Sequence, residues 1–103
     1  MRSTKAIQVL SALSQPVRLQ VLERLIGAGS AGLSAGDLAV ATKASPSALS
    51  AHLAILTRAG ILKSAKVGRH VIYRAKPEAM DEVVSFLRGL GKTSEITIPD
   101  DPS

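Results

Sequence analysis

The sequence contains no cysteine. Disulfide bonds, thiolate metal sites and thiol-based redox sensing are therefore excluded. Aromatic side chains are nearly absent, since the chain has only Phe86, Tyr73 and no tryptophan. The stacking platforms on which proteins that bind single-stranded nucleic acid depend are thus missing. A core must come instead from Leu, Ile, Val and Ala, and the hydrophobic fraction of 46% argues against wholesale disorder.

Long apolar runs are also missing. No run approaches the length of a membrane-spanning helix. Residues 1–5, MRSTK, lack the apolar stretch of a signal peptide, so we expect none. A chain of 103 residues suffices for one domain, which we expect to be cytoplasmic. The sequence has no Ser/His/acid set, Gly-rich phosphate loop or paired His-Glu spacing, so we expect neither an enzymatic activity nor a cofactor.

Acidic residues are missing from one long stretch of the chain. Residues 38–77 carry seven Lys or Arg and no Asp or Glu, whereas residues 1–37 have a net charge of +2 and residues 78–103 of −4. A solvated surface ordinarily mixes both signs of charge. The central segment is therefore typical of a surface that faces a polyanion, with chance clustering as the alternative.

Hydrophobic periodicity predicts a mainly helical chain. Apolar residues at helical spacing indicate helices over residues 3–13 and 16–26, and Ser14 is the predicted N-cap of the second. Ser34 and Asp37 then have the spacing of a capping box, which predicts the start of a short third helix.

A fourth helix and a hairpin follow. Ser45-Pro46 is a helix start signal, and Gly60 is the predicted left-handed residue after the end of that helix. Residues 61–66 and 70–75 indicate two short strands, with residues 67–69 as the turn between them. With a last helix after the hairpin, the predicted order is α-α-α-α-β-β-α, a mainly α fold with a small β-hairpin.

The third and fourth predicted helices have helix-turn-helix spacing. The exposed face of the fourth helix is small and hydrogen-bonding, where a solvated helix without a partner would carry Lys and Glu. Small side chains let a helix approach the floor of the major groove, and Ser and His can bond to base edges or phosphates. The predicted double-stranded DNA contacts of this helix are Ser45, Pro46, Ser47, Ala48, Ser50, Ala51, His52 and Arg58.

The tip of the predicted hairpin suits a wing that lies along a minor groove or a row of phosphates. Arg69 is its predicted main anchor, with His70 at the tip and Lys66 and Arg74 as flanking residues. His52 also has a second interpretation, in which it bonds to a nearby backbone group and orients the helix. For Arg18 we expect a structural ion pair with an acid rather than a DNA contact.

The first and last predicted helices carry apolar stripes that a small monomer cannot fully cover. The last helix begins at Pro77, and its stripe has i, i+3, i+4, i+7 spacing. Such a stripe belongs to the core, to a dimer seam, or to both. We expect the domain to span residues 1–92 and residues 93–103 to be a flexible acidic tail. The predicted homodimer contacts are Ile7, Leu10, Leu13, Met80, Val83, Val84 and Leu87.

The stretch from residue 45 to residue 62, SPSALSAHLAILTRAGIL, resembles the recognition region of the ArsR/SmtB family of bacterial repressors. A Gly-Arg wing, Tyr73 in the returning strand, and residues 10–19 at the entry to the second helix match the family as well, so the similarity covers residues 5–90. The resemblance implies a winged helix-turn-helix homodimer, joined through its terminal helices, that represses transcription from a palindromic operator until an inducer binds.

The metal sites known in that family do not carry over. Members that sense arsenic or cadmium have Cys-Val-Cys-Asp-Leu where residues 34–38 read SAGDL, and zinc sensors use Asp and His on the last helix, where this chain has Asp81 and Glu82 but no His. We therefore expect no metal site. Any inducer is expected to be a small molecule between the first and last helices, or a partner protein. A winged helix used only for protein–protein contact is the alternative function.

Overall fold

The computed structural model of the protein describes residues 1–92, so the predicted tail at 93–103 lies outside the described residues. None of the helices in this part of the chain is both long and apolar enough to cross a membrane. The elements in chain order are α1 (Ser3–Leu13), α2 (Pro16–Ala28), a 3-10 turn (Gly29–Ala31), β1 (Leu33–Ser34), α3 (Ala35–Thr42), α4 (Pro46–Arg58), β2 (Leu62–Val67), β3 (His70–Ala75) and α5 (Pro77–Lys92).

Two of the predicted helix starts are confirmed. The hydroxyl of Ser45 accepts a hydrogen bond from the backbone N–H of Ala48 at 3.3 Å. Ser34 and Asp37 bond reciprocally through side chain and backbone, which completes the capping box at the start of α3. The helix-turn-helix pair is thus fixed by local hydrogen bonds at the beginning of both of its helices.

The N-cap predicted for α2 is wrong. Gln15, not Ser14, accepts the backbone N–H of Arg18, at 3.1 Å, and Ser14 ends α1 instead. The physical reason is Pro16, because a residue that precedes proline is held out of the helical region. Gln15 is therefore extended, with φ −115 and ψ 131, as an N-cap must be.

A glycine turns the chain from α4 into the sheet, as predicted. Gly60 has a φ of +81, its N–H bonds to the carbonyl of Thr57, and the N–H of Ile61 bonds to the carbonyl of Leu56. These two bonds form a Schellman motif, in which the residue after the glycine packs back on the last turn. Ile61 and Leu56 are both fully buried, so the motif fixes the base of the hairpin against the core.

The hairpin belongs to a three-stranded antiparallel sheet in the order β1-β3-β2. The sequence did not indicate β1, a two-residue strand whose Leu33 lies opposite Tyr73. Strand β2 also runs one residue further than predicted, because Val67 pairs with His70. Only two residues, 68 and 69, remain in the turn.

The core lies between the helices and the sheet, and α5 contributes little to it. Among residues 77–91 of α5, only Ala79 and Val83 are buried, whereas Val84, Leu87 and Leu90 are about half exposed. Within the described residues, α5 therefore leaves Val84 and Leu87 exposed. The largest fully buried side chains are Val9, Val21, Leu25, Leu38, Leu49, Leu53, Leu56, Ile61 and Leu62.

Candidate nucleic-acid interface

One face of α4 is exposed along its whole length. Ser47, Ala51, Ala54 and Arg58 recur at i, i+4, i+7 and i+11, which places them in one stripe of the helix, and all four are exposed. No acid lies on this face. The opposite face anchors the helix through Leu49, Leu53 and Leu56, each at most 2% exposed.

The structure places the sequence-predicted contacts of α4 largely where a ligand could reach them. All of them are exposed except His52, which is half-buried. Ala54 and Thr57 share the exposure and were not among the predicted contacts. The sequence could have indicated both residues, because neither occupies one of the large apolar positions that anchor the helix. The exposed predicted residues are Ser45, Pro46, Ser47, Ala48, Ser50, Ala51 and Arg58.

The hairpin tip is also exposed. Gly68 has a φ of +63 while Arg69 does not have a positive φ, which is the pattern of a type II′ turn. Lys66, Arg69 and His70 are exposed on and beside this turn. Within the described chain, none of these three, nor Arg58, has an ion pair or side-chain hydrogen bond. Their charges and donors are thus available to an anion.

Arg18 connects three segments through its side chain. Its Nε donates to Nδ1 of His52 on α4 at 3.2 Å, and its Nη1 donates to the carbonyl of Ala12 near the end of α1 at 3.2 Å. The predicted acidic partner of Arg18 is therefore wrong: within residues 1–92 its partners are an imidazole and a carbonyl. Because Nδ1 accepts this bond, neutral His52 carries its proton on Nε2, the nitrogen left to donate elsewhere.

A second polar contact joins α1 to the end of α4. Nζ of Lys5 donates to the carbonyl of Ala59, the C-cap residue of α4, at 2.7 Å. A cation at this position is favourable, because the carboxyl end of a helix carries a partial negative charge. Neither this contact nor that between Arg18 and His52 could be read from the sequence, since the partners are 54 and 34 residues apart.

The predicted dimer contacts fall into two groups. Ile7 is 66% exposed, and Leu10, Val84 and Leu87 are 41%, 47% and 45% exposed. The others already pack within one chain. Leu13 and Met80 are half-buried against the core, and Val83, at 6% exposed, is part of it.

No three His, Asp or Glu side chains within residues 1–92 converge on a point where a metal ion could be held. Asp81 and Glu82 are exposed on the first half of α5. The arrangement offers hydrogen-bond donors, cations and small side chains, which suit recognition of a polyanion.

Comparisons with known proteins point to the same kind of activity. A family described as helix-turn-helix domain matches residues 13–65. The chain is 36% identical over 86 residues to the HTH-type transcriptional regulator YgaV of Escherichia coli (strain K12), covering 84% of this chain and 85% of that protein. It is 34% identical over 88 residues to the transcriptional activator HlyU of Vibrio cholerae serotype O1, covering 85% of this chain and 79% of that one.

A solved structure shares both fold and sequence with the chain. It is an ArsR-like transcriptional regulator from Rhodococcus sp. RHA1, with a TM-score of 0.76 and 33% sequence identity. The match covers 85% of this chain and 80% of that one. The hairpin and the terminal helices extend beyond the residues that the helix-turn-helix family matches. The similarity to this solved structure therefore extends the comparison to the whole winged domain.

Proposed function

The chain belongs to the ArsR family of winged helix-turn-helix transcriptional regulators, and from that premise we propose that it binds a palindromic operator in double-stranded DNA as a homodimer and represses transcription. The observation that carries this proposal is the exposed, acid-free face of α4 next to a cationic hairpin. Such a regulator acts on the genome, so we place it in the cytoplasm.

Helix α4 is the proposed reading element. Its small side chains allow close approach to the floor of the major groove, where Ser47 and Ser50 can bond to base edges. Arg58, at the end of the same stripe, is the proposed phosphate contact of this helix. On the wing, Arg69 is the proposed main contact to backbone or minor groove, with Lys66 and His70 beside it.

The terminal helices are the proposed dimer seam. Ile7 and Leu10 on α1, with Val84 and Leu87 on α5, are exposed apolar side chains that a second copy would bury. A two-fold dimer presents two copies of α4 to DNA, and this symmetry predicts an operator with two inverted half-sites. Leu90, 58% exposed and not among the predicted contacts, extends the same surface.

That the protein represses transcription, and does not activate it, is the more specific part of the proposal. It follows from the resemblance to a family of repressors, whereas the similar Vibrio cholerae protein is named an activator. A reporter gene placed behind the operator decides the direction. Expression that falls when the protein is supplied supports repression, and expression that rises contradicts it. The alternative of a protein–protein module is not favoured, because the relatives are named as transcriptional regulators.

Selection of bound sequences from random duplex DNA tests the proposed function. We expect an imperfect palindrome whose half-sites lie about one helical turn apart, bound with an affinity that falls steeply as salt rises. Ala51→Glu should abolish this binding by placing a carboxylate against DNA, while Ala31→Glu, an exposed position off α4, should leave it unchanged. No enriched sequence, or equal binding by both variants, would contradict the proposal.

A further inference from the structure

A cavity of about 470 Å³ lies between the end of α2, the base of the hairpin and the first turns of α5. Its walls are mainly apolar and include Leu25, Ile26, Ala75 and Met80. This volume falls within the range of small-molecule sites, about 300–1,000 Å³. The cavity lies beside the second and last helices, not between the first and last helices where the sequence led us to expect an inducer.

Two cations border this cavity from neighbouring strands. Lys63 of β2 lies directly opposite Arg74 of β3 in the sheet register. Like charges in this position repel each other across a strand pair. Arg74 is held in place because its Nε donates to the carbonyl of Ser30 at 2.7 Å, which leaves its terminal nitrogens unbonded within residues 1–92. The pair is thus arranged to accept an anion between its members.

One acid also borders the cavity. Asp81 lies on the α5 side and makes no ion pair with Lys63 or Arg74 within the described chain. The three side chains together give the opening a charge of +1. An anion of single charge neutralises it, whereas a dianion would leave a negative excess beside Asp81. The lining therefore favours a ligand with one negative group and an apolar body.

We propose that this cavity binds a small amphipathic carboxylate, with its carboxylate between Lys63 and Arg74 and its apolar body against Leu25, Ile26 and Met80. Charge-assisted hydrogen bonds to the two cations fix the orientation, and burial of the hydrocarbon supplies most of the affinity. The cavity borders both α5 and the base of the hairpin, so we expect an occupant to change how the proposed dimer helix lies against that base. This regulatory consequence rests on the proposed function, but ligand binding does not.

Octanoate is the probe that tests the site, with octanol and octylamine as matched compounds of the same chain length. Methyl resonances of the full chain, followed by NMR during each titration, report both the location and the dissociation constant. We expect octanoate to shift Leu25, Ile26 and Met80 and to bind about tenfold more tightly than octanol, because only the acid pairs with the cations. Octylamine should bind more weakly than octanol.

Charge-removing variants separate this site from other apolar surfaces. Lys63→Gln should weaken octanoate about tenfold and leave octanol unchanged, whereas Arg24→Gln, an exposed cation elsewhere on α2, should change neither. Equal affinities for octanoate and octanol would overturn the proposal. So would octanoate shifts confined to Val84, Leu87 and Leu90, which would mean that it binds the exposed face of α5.

A separate measurement tests whether a ligand in the cavity changes the affinity for operator DNA. Operator affinity is determined with and without octanoate for the unmodified chain and for Lys63→Gln. We expect octanoate to lower the operator affinity of the unmodified chain and to act more weakly on the variant. A chain that binds octanoate without binding DNA would contradict the proposed function alone, and a chain that binds DNA but not octanoate would contradict the ligand site alone.

Discussion

At the scale of single residues, Arg18 shows how one side chain holds α4, the proposed reading helix, in place. Its guanidinium bonds to His52 on α4 and to the carbonyl of Ala12 on α1. The fixed fork of arginine donors suits two acceptors in different directions. The position of α4 therefore depends on a residue that lies outside the helix-turn-helix and is not part of the proposed DNA-binding surface.

We expect Arg18→Ala to lower the free energy of unfolding by about 1–3 kcal/mol, because a part-buried imidazole and carbonyl lose their donor. Operator affinity should fall as well, since His52 is no longer oriented. Urea unfolding followed by circular dichroism measures the first effect and fluorescence anisotropy the second. Arg24→Ala, on the exposed side of the same helix, is the control, and equal effects of the two variants would argue against the positioning role.

Arg69 is the residue whose removal tests the wing. Arg69→Ala should weaken binding to all duplexes, specific or random, and reduce the slope of log affinity against log salt by about one, because one phosphate contact is lost. Titrations at four salt concentrations measure both quantities. Arg24→Ala is the control, because it removes the same charge from the exposed side of α2, away from the proposed DNA and dimer contacts. An unchanged slope for Arg69→Ala would mean that the wing does not contact the backbone.

At the scale of elements, β1 depends on one glycine. Gly32 has a φ of +67, and a Cβ built on it would lie 2.5 Å from the carbonyl oxygen of Tyr73 and 2.7 Å from a methyl group of Ile72. The first of these atoms is backbone of β3 and cannot move aside without disturbing the sheet. Only glycine lets the chain enter β1 this close to its neighbour.

We expect Gly32→Ala to lower the free energy of unfolding by about 2–5 kcal/mol, from the positive φ and from the overlap with β3. Gly27→Ala provides a contrast. Gly27 lies inside α2, and nothing is within 4 Å of an added Cβ, so this change should raise stability by about 0.5–1 kcal/mol. Chemical denaturation of both variants measures the difference, and destabilisation by Gly27→Ala would contradict this account.

The elements divide into those with a local signal in the sequence and those without one. The helix-turn-helix starts at Ser34 and Ser45 were predictable because a cap involves residues only three apart. Strand β1 was not, since two residues show no periodicity and their partners in β3 lie about 40 positions away. The cavity beside Lys63 was not predictable either, because it exists only once three distant segments are packed together.

At the scale of the whole molecule, the exposed apolar surface predicts assembly. Leu87→Glu places a charge in the proposed seam, so it should convert a dimer of about twice 10.7 kDa into a monomer and weaken operator binding with it. Sedimentation at micromolar concentration measures the mass. Val40→Glu changes an even more exposed residue, 81% accessible on α3, and should leave the dimer intact. A monomeric unmodified chain would rule out the proposed seam.

The small number of metal-ligating side chains in the sequence predicts that the protein does not bind zinc, cadmium or arsenite tightly. The chain has no cysteine and only two histidines, whereas tight zinc sites need about four converging N, S or O ligands. Calorimetry with zinc, cadmium and arsenite should show no stoichiometric submicromolar binding, and operator affinity should not change with any of them. Stoichiometric zinc binding that released the operator, through ligands pooled across a dimer, would contradict this prediction.

The contact between Lys5 and the carbonyl of Ala59 has a thermodynamic consequence. It joins α1, part of the proposed seam, to the end of α4, the proposed reading helix. Through this contact, we expect dimerisation and DNA binding to be coupled by a single free energy. Thermodynamic linkage makes that coupling reciprocal. The factor by which pairing of two chains raises the affinity for the operator equals the factor by which the operator raises the association constant of the two chains. At concentrations below the dissociation constant of the dimer, the operator would therefore raise the fraction of paired chains.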